Sequence, residues 1–126
     1  MTHTMTLTDT IDTHLRAYAE PDPGVRAGLI AQIWADDGQL FDPPFDGTGR
    51  DAIAGLTDVV LEHYPAHTFQ RTTTIDEHHG FARYGWALTG ADGTVAVTGI
   101  DVATLDDQGR LAKVVGFFGD LVPADA

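Results

Sequence analysis

Two aspartates stand where a carboxyl needs a reason to be. Asp101 lies within Val95–Leu105 (Val-Ala-Val-Thr-Gly-Ile-Asp-Val-Ala-Thr-Leu), the most apolar extended run in the chain. Residues two apart on a strand share a face, so Asp101 shares its face with Gly99 and Ala103. Both are small, which leaves space above that face. A bare buried carboxylate is too costly, so Asp101 must be hydrogen-bonded, paired or neutral. With no cation adjacent in sequence, a raised pKa is expected. Asp42 ends the run Gln39-Leu-Phe-Asp just before Pro43-Pro44. Aspartate favours turn starts, and turn chemistry alone would account for it. The functional alternative is a carboxylate held at a pocket mouth and able to move a proton, the work of a general acid–base pair.

Other chemistry-bearing side chains are few. His14 and Tyr18 are four residues apart on an expected helix, so both could offer a donor to a ligand oxygen if that face points inward. Tyr84 and Trp86 alternate on one strand face, and Phe117 and Phe118 must point to opposite faces of the last strand. Tyr84, Trp86 and Phe118 are therefore candidates for a ligand box, and equally for plain core. His63 and His67 are separated by Pro65, which breaks the helix that would align them, and no HExxH pattern occurs, so no metal is expected. His78 and His79 fall in an expected turn. The chain contains no Cys and no Ser. That excludes disulfides, thiolate sites and both common nucleophiles. No phosphate-cradling glycine motif is present, and no cofactor is expected.

The elements that must position these residues change character midway. Ile11, Leu15 and Tyr18 recur with helical spacing, Thr8 is a candidate N-cap, and Pro21 and Pro23 end the helix. A second helix is expected from about Val25 to Trp34, closed by Asp36-Asp37-Gly38 as a turn. A short strand at 39–42 and a loop at 45–49 follow. A third helix starts near Arg50, striped by Ile53, Leu56 and Val60. From Thr68 the period switches to two, with turn signals at 77–80, 90–93 and 106–109, which predicts strands at about 68–76, 81–89, 94–105 and 110–119 in an antiparallel meander. Helices first and strands second argue an α+β fold.

Length and composition set limits. The chain has 126 residues, 43% of them apolar, which suits one domain over 1–126 with a real core. The formal net charge of −12 disfavours nucleic acid and anionic membrane as partners. The Thr-rich N-terminus lacks the basic and apolar regions of a secretory signal, and a cytoplasmic location is the default expectation.

Taken together, three segments resemble the NTF2-like superfamily of ketosteroid isomerases and SnoaL-like polyketide cyclases. They are Ile33-Trp-Ala-Asp-Asp-Gly-Gln-Leu-Phe-Asp-Pro43, Gly47-Thr-Gly-Arg-Asp-Ala-Ile53, and the run from Gly99 to Gly119. The resemblance implies three N-terminal helices packed on a strongly curved, mainly antiparallel sheet, forming a cone around a pocket for a small apolar, steroid-like or polyketide-like molecule. It places Asp42 at the isomerases' proton-shuttling carboxylate and Asp101 at their neutral acid that donates to an enolate oxygen. A carboxylic acid kept neutral by an apolar site, so that it can donate a hydrogen bond to such an oxygen, is itself a known isomerase device. Either His14 or Tyr18 falls at the isomerases' helix-borne donor. Isomerisation or cyclisation through an enolate is thus implied. A non-catalytic binding domain is the alternative, and hydrolysis like that of limonene-type epoxide hydrolases, which uses an Asp–Arg–Asp relay, is a third. Arg50, Arg71 and Arg83 are candidates for such a relay. The outer sheet face should retain apolar side chains, including Ile100, Val102 and Val114, and relatives often pair sheet to sheet, so a homodimer is expected.

Overall fold

Helix α1 (Leu7–Ala17) opens with a capping box. The Thr6 hydroxyl accepts from the Asp9 amide, and the Asp9 carboxylate accepts from the Thr6 amide. The cap is thus Thr6 rather than Thr8, because Asp9 completes the reciprocal pair only with Thr6. Helix α2 (Pro23–Ile33) is capped by Asp22, with Pro23 in the first turn where its missing N–H costs nothing. The computed structural model describes residues 5–125. Within it, Arg26 is buried and donates to the Glu20 carbonyl and to Asp58, tying α2 to α3 (Arg50–His63).

The segment read from sequence as a helix-closing turn is instead strand. Strand β1 runs Trp34–Asp42 straight through Asp36-Asp37-Gly38, with an irregularity between Trp34 and Gln39. Gly38 is needed there for close packing, since a Cβ would stand 2.4 Å from the Trp34 ring. The expected loop at 45–49 is also mostly strand: β2 (Phe45–Thr48) folds back on β1, with Asp42 opposite Phe45 across the cis Pro43–Pro44 turn. Tertiary pairing overrides the local turn signals in both places.

The remaining strands are β3 (Thr68–Arg71), β4 (Asp76–His78), β5 (Phe81–Thr89), β6 (Val95–Leu105) and β7 (Leu111–Phe118). The one strand expected at 68–76 is split. At Thr73 the side-chain hydroxyl, rather than the backbone, accepts from the Gly85 amide, and the ladder to β5 breaks. The sheet order is β2-β1-β7-β6-β5-β3, with β4 also paired to β5. All pairings are antiparallel except β1 with β7, so the sheet is mixed, and it is not closed into a barrel.

Alternation sorts the sheet into two faces. The inner face, toward the helices, carries Leu40, Ala82, Tyr84, Trp86, Leu88, Ala103 and Val114, all buried with Ile11, Leu15, Ile30, Ile33 and Ile53. The outer face carries Ile100, Val102, Val115 and Phe117. Val114, expected outside, is fully buried inside: it pairs with Ala103, two residues from Asp101, and Val115 takes the outer position. Among the described residues no helix is long and apolar enough to cross a membrane.

Candidate active site

Asp101 lies in the middle of β6 with its side chain on the inner face, 5% exposed. Both its oxygens are engaged. The Tyr84 hydroxyl donates to Oδ2 at 2.8 Å and the Trp86 indole N–H donates to Oδ1 at 2.9 Å. Register explains the arrangement: Tyr84 lies opposite Asp101 and Trp86 opposite Gly99. The space expected above Gly99 is filled by the Trp86 ring. A Cβ on Gly99 would stand 2.3 Å from that ring and 2.6 Å from the Phe117 carbonyl. Gly99 therefore allows the indole to lie across β6 and reach the carboxyl.

Asp42 enters the same space from the end of β1. A Cβ on Gly116 of β7 would stand 2.4 Å from Asp42 Oδ1 and 3.1 Å from Asp101 Oδ1. The two carboxyls thus converge over a bare patch of backbone that only glycine provides. Asp42 Oδ1 is buried and has no hydrogen-bond partner among the described residues. Burial pushes the Asp42 pKa up to about 6, and nearby Asp46 adds to the rise. Burial also pushes Asp101 up to about 7. The Tyr84 and Trp86 hydrogen bonds oppose that rise and the charge of Asp42 reinforces it. Between about pH 6 and 7 the pair shares roughly one proton, with Asp42 the more ionised member.

Tyr18 caps the C-terminus of α1 and lines the inner end of the cleft with Leu15, Leu40, Asp42, Phe69, Trp86 and Asp101. Burial, then the charges of Asp101 and Asp42, raise its pKa well above the ordinary phenol value, so its hydroxyl stays a donor. It engages no hydrogen-bond partner among the described residues. The Arg71–Asp12 ion pair ties β3 to α1, and the Tyr18 ring packs on Phe69 at 4.7 Å, tilted by 52°. His14 sits one turn back, edge-on to Tyr18 and Trp34 and outside the cleft lining. Its Nε2 is 3.9 Å from Asp101 Oδ2, too long for a hydrogen bond, and burial lowers its pKa to about 4. It is a neutral neighbour, and of the two helix candidates Tyr18 is the one that faces the cavity.

The outer end of the cleft is apolar, walled by Val60, Phe69, Leu88, Val97 and Phe118, with Phe45, His63 and Tyr64 at its rim. Trp86 and Phe118 line it. Tyr84 lies behind the lining, with its hydroxyl committed to Asp101. Sequence spacing marks His63 only as half of a broken metal pair. The signal available was its place at the end of the α3 stripe, one turn beyond Val60. Arg50 pairs with Asp36, Arg71 with Asp12 and Arg83 with Asp76, and none contacts Asp42 or Asp101, so the hydrolase relay does not form. No group of three His, Asp or Glu side chains among the described residues is placed to hold a metal.

Gly116→Ala is expected to leave the fold intact, because the atom it meets is the end of an aspartate side chain. It should drive Asp42 out of the cleft. In carbon-detected NMR titration the Asp42 carboxyl should fall back toward the ordinary ~3.9. An unchanged titration would mean the two carboxyls do not share this space.

No protein-family model matches the chain, and neither does any curated protein. Solved structures do. An NTF2-like protein from Exiguobacterium sp. 255-15 covers 89% of the chain over 99% of its own length, at 18% identity and a TM-score of 0.67. A Jannaschia protein designated a proposed SnoaL-like polyketide cyclase covers 94% over 91%, at 15% identity and a TM-score of 0.67. These two share the fold. A protein of the SnoaL-like family from Agrobacterium tumefaciens, designated a proposed isomerase, shares more: 33% identity over 92% of this chain and 100% of its own, with a TM-score of 0.85. Identity at that level, sustained over the full length of the relative, goes beyond shared architecture, and the chain belongs to the SnoaL-like family of the NTF2-like superfamily.

Proposed function

We propose that the protein is an acid–base enzyme acting on a carbon next to a carbonyl group. The observation that carries it is the convergence of Asp42 and Asp101 over Gly116 in a buried, otherwise apolar cleft, with one Asp42 oxygen unpaired. Asp42 takes a proton from the carbon α or γ to the carbonyl. The C–H electron pair becomes a C=C bond, and the carbonyl π pair moves to oxygen. Tyr18 and protonated Asp101 donate to that oxygen, and Asp42 then returns its proton to the same or another carbon. Tyr84 and Trp86 act as positioning residues that fix the Asp101 carboxyl. The test is α-proton exchange of 2-cyclohexenone in D2O, followed by NMR. Exchange well above the buffer rate is expected, and none above buffer would overturn the proposal.

We further propose that the outer sheet face pairs with a second copy of the chain. Phe81 and Phe117 are 53% and 59% exposed there, around a hollow of about 670 Å³ lined by Ile100, Val102, Phe117 and Leu121. No described helix covers this face. An exposed apolar patch of this kind marks an interaction site, and a self-complementary two-fold contact is the simplest way to cover it. Light scattering at micromolar concentration should give the mass of a dimer, and Phe117→Glu should give a monomer. A monomeric parent protein would exclude the pairing.

A further inference from the structure

The cleft has two compartments of very different size, and their sizes specify the ligand more narrowly than the chemistry does. The inner niche, against Tyr18, Asp42 and Asp101, holds about 10 Å³. That is close to the roughly 10–15 Å³ that a single water oxygen needs. The outer compartment holds about 130 Å³. A cavity of about 150 Å³ walled by aliphatic and aromatic side chains takes one benzene ring, whereas drug-sized ligands occupy roughly 300–1,000 Å³. Asp42, Phe69 and Trp86 line both compartments, so the two adjoin. The larger hollow, of about 670 Å³, lies on the outer sheet face, away from both carboxyls.

The rim adds a direction. His63 Nδ1 lies 2.9 Å from the Val59 carbonyl. A carbonyl can only accept, so Nδ1 carries the hydrogen, and in the neutral ring Nε2 is left as an acceptor. No other side chain pairs with His63 among the described residues.

We infer that the substrate is a one-ring carbonyl compound, its oxygen seated in the niche beside Tyr18 and Asp101, its ring in the apolar compartment, and a hydroxyl on the far side donating to His63 Nε2. This assignment rests on the proposed carbonyl chemistry for the placement of the oxygen, but its size limit comes from the cavity alone. The compartment itself has room for about one ring, so the further rings of a four-ring steroid would lie outside it. Leu88 and Val97 from the sheet and the half-exposed Phe118 line it.

The experiment measures dissociation constants by saturation-transfer NMR for 2-cyclohexenone, 4-hydroxy-2-cyclohexenone, 1-tetralone and a four-ring steroid enone, with α-proton exchange recorded on the same samples. The one-ring ketones should bind at least tenfold tighter than the steroid. The 4-hydroxyl should tighten binding severalfold, and His63→Ala should abolish that gain, so that the variant binds 2-cyclohexenone and 4-hydroxy-2-cyclohexenone alike. Phe118→Ala, at a half-exposed position, should open the mouth and tighten 1-tetralone by at least fivefold. Steroid binding equal to or tighter than that of the one-ring ketones overturns the size limit, as does failure of every compound to bind. A hydroxyl without effect removes the His63 contact. Tight one-ring binding without any α-exchange leaves the size limit standing and sinks the acid–base proposal, so the two fail separately.

Discussion

Asp42→Asn should lower α-proton exchange by about 10²- to 10⁴-fold while leaving the fold intact. Among the described residues, Asp42 is the only group in the cleft that combines a free oxygen with a pKa, about 6, that leaves it ionised at neutral pH. Asparagine keeps the shape and removes the base. Because Asp42 is half-buried at the end of β1, next to the turn into β2, the amide can turn its NH2 toward solvent and stability should change little. In the parent protein the rate should rise with pH through about 6 as Asp42 ionises. It should fall again above about 7 as Asp101 gives up its proton, a narrow bell whose two limbs belong to the pair. Circular dichroism and the exchange assay on the same sample separate folding from chemistry. A variant that keeps more than a tenth of the parent rate would show that Asp42 is not the base.

Asp101→Asn should remove the pH dependence of stability that this site contributes. The folded-state pKa of Asp101 is raised above its unfolded value, so between the two the native state holds a proton that the unfolded chain has lost. Stability from this group is therefore greatest at low pH and is lost as pH climbs toward about 7, where burying the carboxylate becomes the cost. A shift of that size corresponds to roughly 4 kcal/mol as an upper bound. Asparagine does not titrate. Its oxygen can accept from Trp86, and its amide can donate to the Tyr84 hydroxyl oxygen, so a hydrogen bond to each neighbour is kept with the Tyr84 direction reversed. The variant should match the parent near pH 4 and exceed it in urea-unfolding stability near pH 8 by an amount up to that bound. His14 works in the opposite direction. Its lowered folded pKa, about 4, means stability falls as pH drops from about 6.5 to 4, equally in both proteins. The same substitution should remove the alkaline limb of the rate profile and cost about 10²- to 10³-fold in exchange rate, the usual effect of losing one oxyanion donor. A parent-to-variant stability difference that is equal at pH 5 and pH 8 would show that Asp101 is not held protonated by its surroundings.

What the sequence by itself determined is local. The stripe Ile11, Leu15, Tyr18 defined the buried face of α1, and Ile53 and Val60 that of α3, because helical spacing reports which side of an element meets the core. The alternation around Asp101 placed that carboxyl on the buried face of a strand, and turn residues bounded β5, β6 and β7 to within a residue or two. The resemblance carried by three segments extended this to the superfamily. The partner that covers each face was decided only in three dimensions. Asp36-Asp-Gly38 has turn composition, yet it lies within a strand that pairs in parallel with β7, more than 70 residues away, and no local period reports such a pairing. That pairing brings Asp42 over Gly116. Tyr18 and His14 lie one turn apart on the same helix, and only the angle at which α1 meets β3, held by Arg71 and Asp12, turns the tyrosine into the cleft and the histidine behind it. Gly99 in sequence suggested empty space, whereas its cross-strand neighbour Trp86 fills that space and reaches Asp101. Periodicity tells which residues are inside. Register between distant strands, which depends on the packing of the whole chain, decides which of those residues touch.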